Sequence, residues 1–297
     1  MDDRPIGVFD SGFGGLTVAR ALIDLLPAEQ LIYLGDTARY PYGDKPADEV
    51  RSFSVEIGHW LVARGAKMIV AACNTASAVA LDQLRREMDV PVVGVIQPGV
   101  RAGLSATRSG RIGVIGTVGT VASGTYQDAF AAGGPGVSLR CAACPGFVEF
   151  VERGDTYSDQ VLVLAERLLS PLRTARVDTL VLACTHYPFL ARTIGEVMGR
   201  DVVLVSPAEE TAFEVRSLLA ETGLARQAPP DTPGHRWYSS GDSEMFAKLG
   251  RHLFGDDLGS VSAVRWDAIG EEAVWPASSQ AASDSPVPRV PVGSWAT

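Results

Sequence analysis

MIVAACNTASAVALDQLR, residues 68–85, and TLVLACTHYPFLARTI, residues 179–194, share one plan, and that shared plan decides the fold. Each opens on a short aliphatic run, reaches a cysteine (Cys73, Cys184) and passes into a stretch that reads as helix. Upstream of them stands a second matched pair, IGVFDSGFGGLTVAR from Ile6 and IGVIGTVGTVASGTY from Ile112. A strand, a small-residue turn and a helix, followed later by a strand ending in Cys and another helix, therefore occur twice. Such a repeat predicts two similar domains.

Working outward, IGVFD at 6–10, MIVAA at 68–72, VVGVI at 92–96, IGVIG at 112–116, TLVLA at 179–183 and VVLV at 202–205 alternate with amphipathic stretches such as LTVARALIDLL from Leu16. Apolar runs without polar alternation, spaced by helices, belong to parallel strands covered on both faces, so each half is expected to be a doubly wound α/β domain. Val50, Phe53, Ile57 and Leu61 recur at helical spacing and predict a covering helix between Val50 and Arg64. Open sheets of this class bind ligands beyond the carboxyl ends of their strands, where Asp10, Cys73, Thr117 and Cys184 all fall. Facing the halves across a pseudo-twofold axis would put one cysteine on each side of a shared cleft. RWYSS and SEMFAKLGRHLFG have no counterpart in the repeat, so residues 1–97 plus 206–267 are expected to form the first domain and 98–205 the second. From about Glu271 the composition turns to Ala, Ser and Pro, and residues 271–297 read as a tail.

At 297 residues and 46% hydrophobic composition the chain can bury a sizeable core. A net charge of −9 argues against nucleic acid as a direct partner, since phosphate binding shows as a basic patch. No stretch has the length of a membrane span, and MDDRPIGVFD carries acids and a proline where a secretion signal would be basic and then apolar; a cytoplasmic location is expected. Cys73, Cys141, Cys144 and Cys184 are too few and too spread for a disulfide framework, and Cys141 and Cys144 lack the second ligand pair of a structural zinc site, which leaves them as small apolar residues at a strand end. The lysines, Lys45, Lys67 and Lys248, stand outside the strand-end motifs, where a pyridoxal Schiff base would need one; His59, His186, His235 and His252 have no metal-ligand spacing. DSGFGG is not the G-x-G-x-x-G of dinucleotide sites. No cofactor and no metal are therefore expected.

One cysteine at a strand end is ordinarily a small buried hydrophobe; two related by a repeat suggest a pair. Inverting a carbon requires that its proton leave from one face and another arrive on the opposite face. Two cysteines across a substrate can do this, one as thiolate and base, the other as thiol and acid. A thiol has a pKa of roughly 8.5, and a helix start behind each cysteine would favour its anion. Asp10 can be read as a plain helix N-cap and His186 as a satisfied histidine near a helix start.

FDSGFGG at 9–15, PYG at 41–43, CNTAS at 73–77, GTVGT at 116–120 and CTHYP at 184–188 resemble, in order and spacing, the motif series of glutamate racemase in the aspartate/glutamate racemase superfamily; the similarity spans about residues 5–255. The resemblance implies a cofactor-independent racemase with Cys73 and Cys184 as the acid/base pair, Asp10 assisting the first and His186 the second. It implies that Asp10, Ser11, Tyr42, Gly43, Asn74, Thr75, Thr117, Thr120, Thr185 and His186 hold the amino acid. Glu152 falls where the family has an acidic residue near the site, although Glu149 and Phe150 stand where the family usually has Pro and an aliphatic residue. By the same resemblance the product D-glutamate feeds peptidoglycan synthesis, the protein is a homodimer, and DNA gyrase, a partner of some members, is a candidate partner through protein rather than DNA contact. Open beside this reading are another racemase of the superfamily such as one for aspartate, a single-cysteine covalent enzyme of amidase or maleate isomerase type, and a regulatory binding protein.

Overall fold

In the computed structural model, residues 2–226 and 234–266 are described. The chain runs β1 (Ile6–Asp10), α1 (Leu16–Leu25), β2 (Leu31–Gly35), α2 (Ala47–Ala63), β3 (Met68–Ala71), α3 (Asn74–Glu87), β4 (Val92–Gly94) and α4 (Ile96–Ala106). It continues through β5 (Arg111–Gly116), α5 (Val118–Ala122), α6 (Thr125–Gly133), β6 (Ser138–Ala143), α7 (Phe147–Glu152), α8 (Asp159–Thr174), β7 (Thr179–Ala183), α9 (Ala191–Met198) and β8 (Val203–Val205). Last come α10 (Ala208–Glu221), β9 (Arg236–Ser239), α11 (Ser243–Phe254) and β10 (Val261–Ala263). The expected tail, 271–297, lies outside the described residues.

Among the described residues ten strands form two sheets, ordered β10-β9-β2-β1-β3-β4 and β6-β5-β7-β8. Every pairing within them is parallel. The repeat reappears as topology, because β2-β1-β3-β4 and β6-β5-β7-β8 are the same order. β1, β2, β3 and β7 are buried along their whole length, as strands with helices on both faces must be. Each fully buried Ile, Val or Leu in them contributes about 1.5–3 kcal/mol. β9 and β10 extend the first sheet from the late segment that carries RWYSS and SEMFAKLGRHLFG. Both sheets lie in one compact body that ends at Val264.

Several elements differ from expectation. LIYLG at 31–35 is a buried strand beside β1, hidden in the sequence because only a few residues separate it from the apolar run of α1. SLRCAA at 138–143 is an edge strand whose exposed and half-buried positions do not form an apolar run. VVGVI is strand only to Gly94, and α4 starts at Ile96. The covering helix α2 buries Val50, Ile57 and Leu61, but Phe53 is half-buried under Arg39, whose guanidinium lies 4.2 Å from its ring centroid.

In each sheet the first strand lies between the second and third, so the connections diverge between β1 and β3 and between β5 and β7. That divergence opens a crevice at the carboxyl ends of those strands. Asp10 and Cys73 stand at one crevice, Thr117 and Cys184 at the other.

Candidate active site

Cys73 occupies the N-cap position of α3, with extended backbone, so the first turn of a 14-residue helix opens toward its sulfur. The backbone N–H groups of Ala76 and Ser11 point at Sγ, and Sγ lies 3.8 Å from Ser11 Oγ. These contacts favour a thiolate. Burial opposes them and wins: the thiol is pushed up to about 12, with the nearby Asp10 carboxylate adding to the rise. Asp10 is wholly buried at the end of β1. Its Oδ2 accepts from Gly12 N–H (3.0 Å) and Gly15 N–H (3.2 Å). The N-cap of α1 is Gly15, so Asp10 is not the cap itself, although its side chain receives the N–H groups of that turn. Burial raises its pKa, and the nearby His186 works against that rise.

Cys184 follows β7, but no α-helix starts behind it. A bend leads to a short 3-10 turn, Tyr187–Leu190, with Pro188 in its first positions, and α9 begins only at Ala191. The N–H groups of His186 and Tyr187 still point at the sulfur. Burial again pushes this thiol well up, and the charge of Cys73 contributes, so the two sulfurs are within each other's electrostatic reach. His186 Nδ1 stands 4.0 Å from Cys184 Sγ and its Nε2 is 3.2 Å from Glu152 Oε1. Glu152 closes α7 and is partly open to solvent. Thr185 Oγ1 reaches across to Asp10 Oδ1 at 3.4 Å.

Three hydroxyls link the halves. Thr75 on α3, Thr117 at the N-cap of α5 and Thr120 within α5 form a triangle with sides of 3.0, 3.1 and 3.0 Å. Asn74 Oδ1 accepts from Tyr126 Oη on α6 at 2.8 Å, which leaves the Asn74 NH2 to donate elsewhere. Two glycines allow the halves to meet: a Cβ at Gly14 would stand 2.5 Å from Thr185 Oγ1, and one at Gly43 would stand 2.7 Å from Thr117 Cβ. Tyr42 sits at the site with its hydroxyl turned away, donating to the buried Asp36, which also accepts from Arg39 Nε (2.7 Å) and Ser240 Oγ (2.7 Å).

Ser11, Tyr42, Gly43, Cys73, Asn74, Thr75, Thr117, Cys184, Thr185 and His186 thus surround one cavity, joined by Tyr40, Pro41, Val148 and Ala183. Asp10, Thr120 and Glu152 stand behind that wall. Tyr40 and Val148 went unread in the sequence; Tyr40 directly precedes PYG, but adjacency to a motif does not say which way a ring turns. The cavity measures only about 20 Å³, little more than the ~10–15 Å³ needed to hold one water. Among the described residues no arginine or lysine lines it. A larger hollow of about 640 Å³ beside α11 gathers none of the motif residues. Cys141 and Cys144 lie apart from the pair, on β6 and just beyond it, both reduced and pushed up by burial to about 11 and about 12.

A site built from two opposed thiols, backbone N–H groups and hydroxyls suits proton transfer at a small anionic substrate. Residues 6–214 match the family model described as Asp/Glu/Hydantoin racemase. A glutamate racemase of Acidothermus cellulolyticus is 53% identical over 264 residues, covering 89% of this chain and all of that protein. Among solved structures, glutamate racemase isoform RacE1 of Bacillus anthracis superposes with TM-score 0.82 at 39% identity, covering 89% of this chain and 98% of its own. The glutamate racemase of Francisella tularensis subsp. tularensis SCHU S4, solved in complex with D-glutamate, gives 0.81 at 32% identity with the same coverage.

Proposed function

The chain belongs to the Asp/Glu/Hydantoin racemase family and is a racemase, and on that premise we propose that it interconverts L- and D-glutamate by a two-base mechanism at Cys73 and Cys184. One observation carries the mechanism: two cysteines from opposite halves face one cavity, and each has two backbone N–H groups aimed at its sulfur. A thiolate on one side takes the α-proton and becomes a thiol; the thiol on the other side gives its proton to the opposite face and becomes the thiolate. Reversing the roles runs the reaction backward.

The raised thiol pKa values suit this chemistry. A strongly basic thiolate is needed against a weakly acidic carbon, and the N–H groups hold it without bringing in a cation. Asp10, just behind the cavity wall, supplies a negative charge that favours the substrate ammonium, while Asn74, the threonine hydroxyls and the backbone of Tyr42 and Gly43 receive its carboxylates. Because the cavity is far too small for glutamate, the substrate enters when the halves part and is desolvated as they close. The domain limits belong to the same proposal, residues 1–97 with 206–267 against 98–205, as does a cytoplasmic role supplying D-glutamate to peptidoglycan. Among the described residues no helix is long and apolar enough to cross a membrane.

The test is solvent deuterium incorporation at the α-carbon of L-glutamate and L-aspartate, without added cofactor, by wild type, Cys73→Ser and Cys184→Ser. Wild type should exchange and racemise glutamate in preference to aspartate, and either substitution should cut racemisation by about 10²–10⁴-fold. Preference for aspartate would overturn the substrate; racemisation surviving the loss of either thiol would overturn the two-base mechanism.

A further inference from the structure

We propose that Tyr40 is a positioning residue whose hydroxyl donates to the Glu152 carboxylate and holds it against His186 when substrate fills the site. Tyr40 comes from the loop after β2, on the first sheet's side. Glu152 at the end of α7 and His186 beyond β7 come from the second.

The geometry converges on this role. Tyr40 Oη is buried and makes no hydrogen bond, and an unsatisfied buried hydroxyl costs about 1–3 kcal/mol. The acceptor within reach is Glu152: its charge and a loose side-chain contact raise the phenol's pKa, after the larger effect of burial. Gly12 brings the two together, since a Cβ there would lie 3.3 Å from Tyr40 Cδ2 and 3.9 Å from Glu152 Oε1. The tyrosine ring also lies against His186, 6.1 Å between centroids and tilted by 36°. Oε1 of Glu152 meets His186 Nε2 and is also the oxygen beside the tyrosine ring, and a carboxylate oxygen can accept from both partners.

A carboxylate that is partly open to solvent needs such a second anchor. Without one it can turn to water and release His186 Nε2, and the imidazole then loses the contact that aims Nδ1 at Cys184 Sγ. With the anchor, Tyr40, Glu152, His186 and Cys184 form one chain that spans both halves. The chain ends at Cys184, so the anchor bears on proton transfer there and not at Cys73. Glu149 also faces Tyr40 through its charge, and it adds to the same field.

This inference rests on the two-cysteine reading, and the experiment separates their failures. Racemisation is measured with full-length wild type, Tyr40→Phe, Glu152→Gln and the double variant, with thermal midpoints as a check on folding. Tyr40→Phe should lower kcat about tenfold and change KM less than about twofold, and in the Glu152→Gln background it should cost less than about twofold more, because the hydroxyl acts through that carboxylate. A kcat within twofold of wild type, a full tenfold loss in the Glu152→Gln background, or a loss confined to KM would each overturn the role. A wild type that does not racemise would defeat the reading beneath it as well, whereas a racemising wild type with a silent Tyr40→Phe defeats this inference alone.

Discussion

Cys73 and Cys184 stand at equivalent points of a repeated topology, yet their surroundings differ. Behind Cys73 are a full α-helix and a wholly buried carboxylate, Asp10, held by backbone N–H groups. Behind Cys184 are a bend, a 3-10 turn and an imidazole whose far nitrogen meets a partly exposed carboxylate. Each sulfur meets two backbone N–H donors, but from different places: Ala76 and the β1-end residue Ser11 for Cys73, the next-turn residues His186 and Tyr187 for Cys184. What also differs is the side-chain apparatus, one side wholly buried, the other ending at the partly exposed Glu152. A symmetric task of removing and returning a proton is thus performed by two unlike environments.

Removing the charge beside Cys73 should have the largest effect. Asp10→Asn is expected to lower racemisation by about 10³-fold through loss of the charge that favours the substrate ammonium and acts on Cys73. It should also make Cys73 react with iodoacetamide at lower pH, because the carboxylate raises that thiol and its removal favours the thiolate. Alkylation followed against pH in a Cys184→Ser background reads this directly; an unchanged profile would mean that burial alone governs Cys73 and that the contrast between the sides is weaker than drawn.

Next in size is a steric test of the Cys184 side. Gly14→Ala places a Cβ 2.5 Å from Thr185 Oγ1 and 2.6 Å from His186 Nδ1, and displacing the imidazole should cost about 10²-fold in kcat. Gly43→Ala instead presses on Thr117, beside the hydroxyl triangle, and should raise KM more than it lowers kcat. Steady-state kinetics with the two variants giving the same kcat and KM pattern would erase the distinction between the proton-transfer side and the holding side.

The smallest effect is expected at Tyr126→Phe, which removes the hydrogen bond to Asn74 Oδ1 just after Cys73. Urea unfolding should show a loss of about 0.5–1.5 kcal/mol, with racemisation changed only modestly. A stability equal to wild type would show that Asn74 finds another donor and that the second half does not brace the Cys73 side.

Much of this is legible in the amino-acid sequence. Matching apolar runs around Ile6, Ile112, Met68 and Thr179 dictate buried parallel strands, because a strand covered by helices on both faces has little room for polar residues between its ends. The motifs that follow those runs fall at strand ends, which is why Cys73, Cys184, Thr117 and Asp10 could be placed at a crevice from their spacing alone. Elements with mixed character stayed hidden: β6 is half-exposed at a sheet edge, and β2 follows α1 too closely to stand out.

Direction and distance were decided only in three dimensions. Local sequence places a tyrosine in a loop but cannot say that the Tyr42 hydroxyl turns to buried Asp36 while the Tyr40 hydroxyl stays beside Glu152, since both outcomes depend on residues more than a hundred positions away, Ser240 in one case and Glu152 in the other. The same holds for the thiols. A helix start argues for a lowered pKa, and only the burial created by packing two halves together reverses that sign, because desolvation depends on everything around the sulfur and not on the residues beside it in the chain.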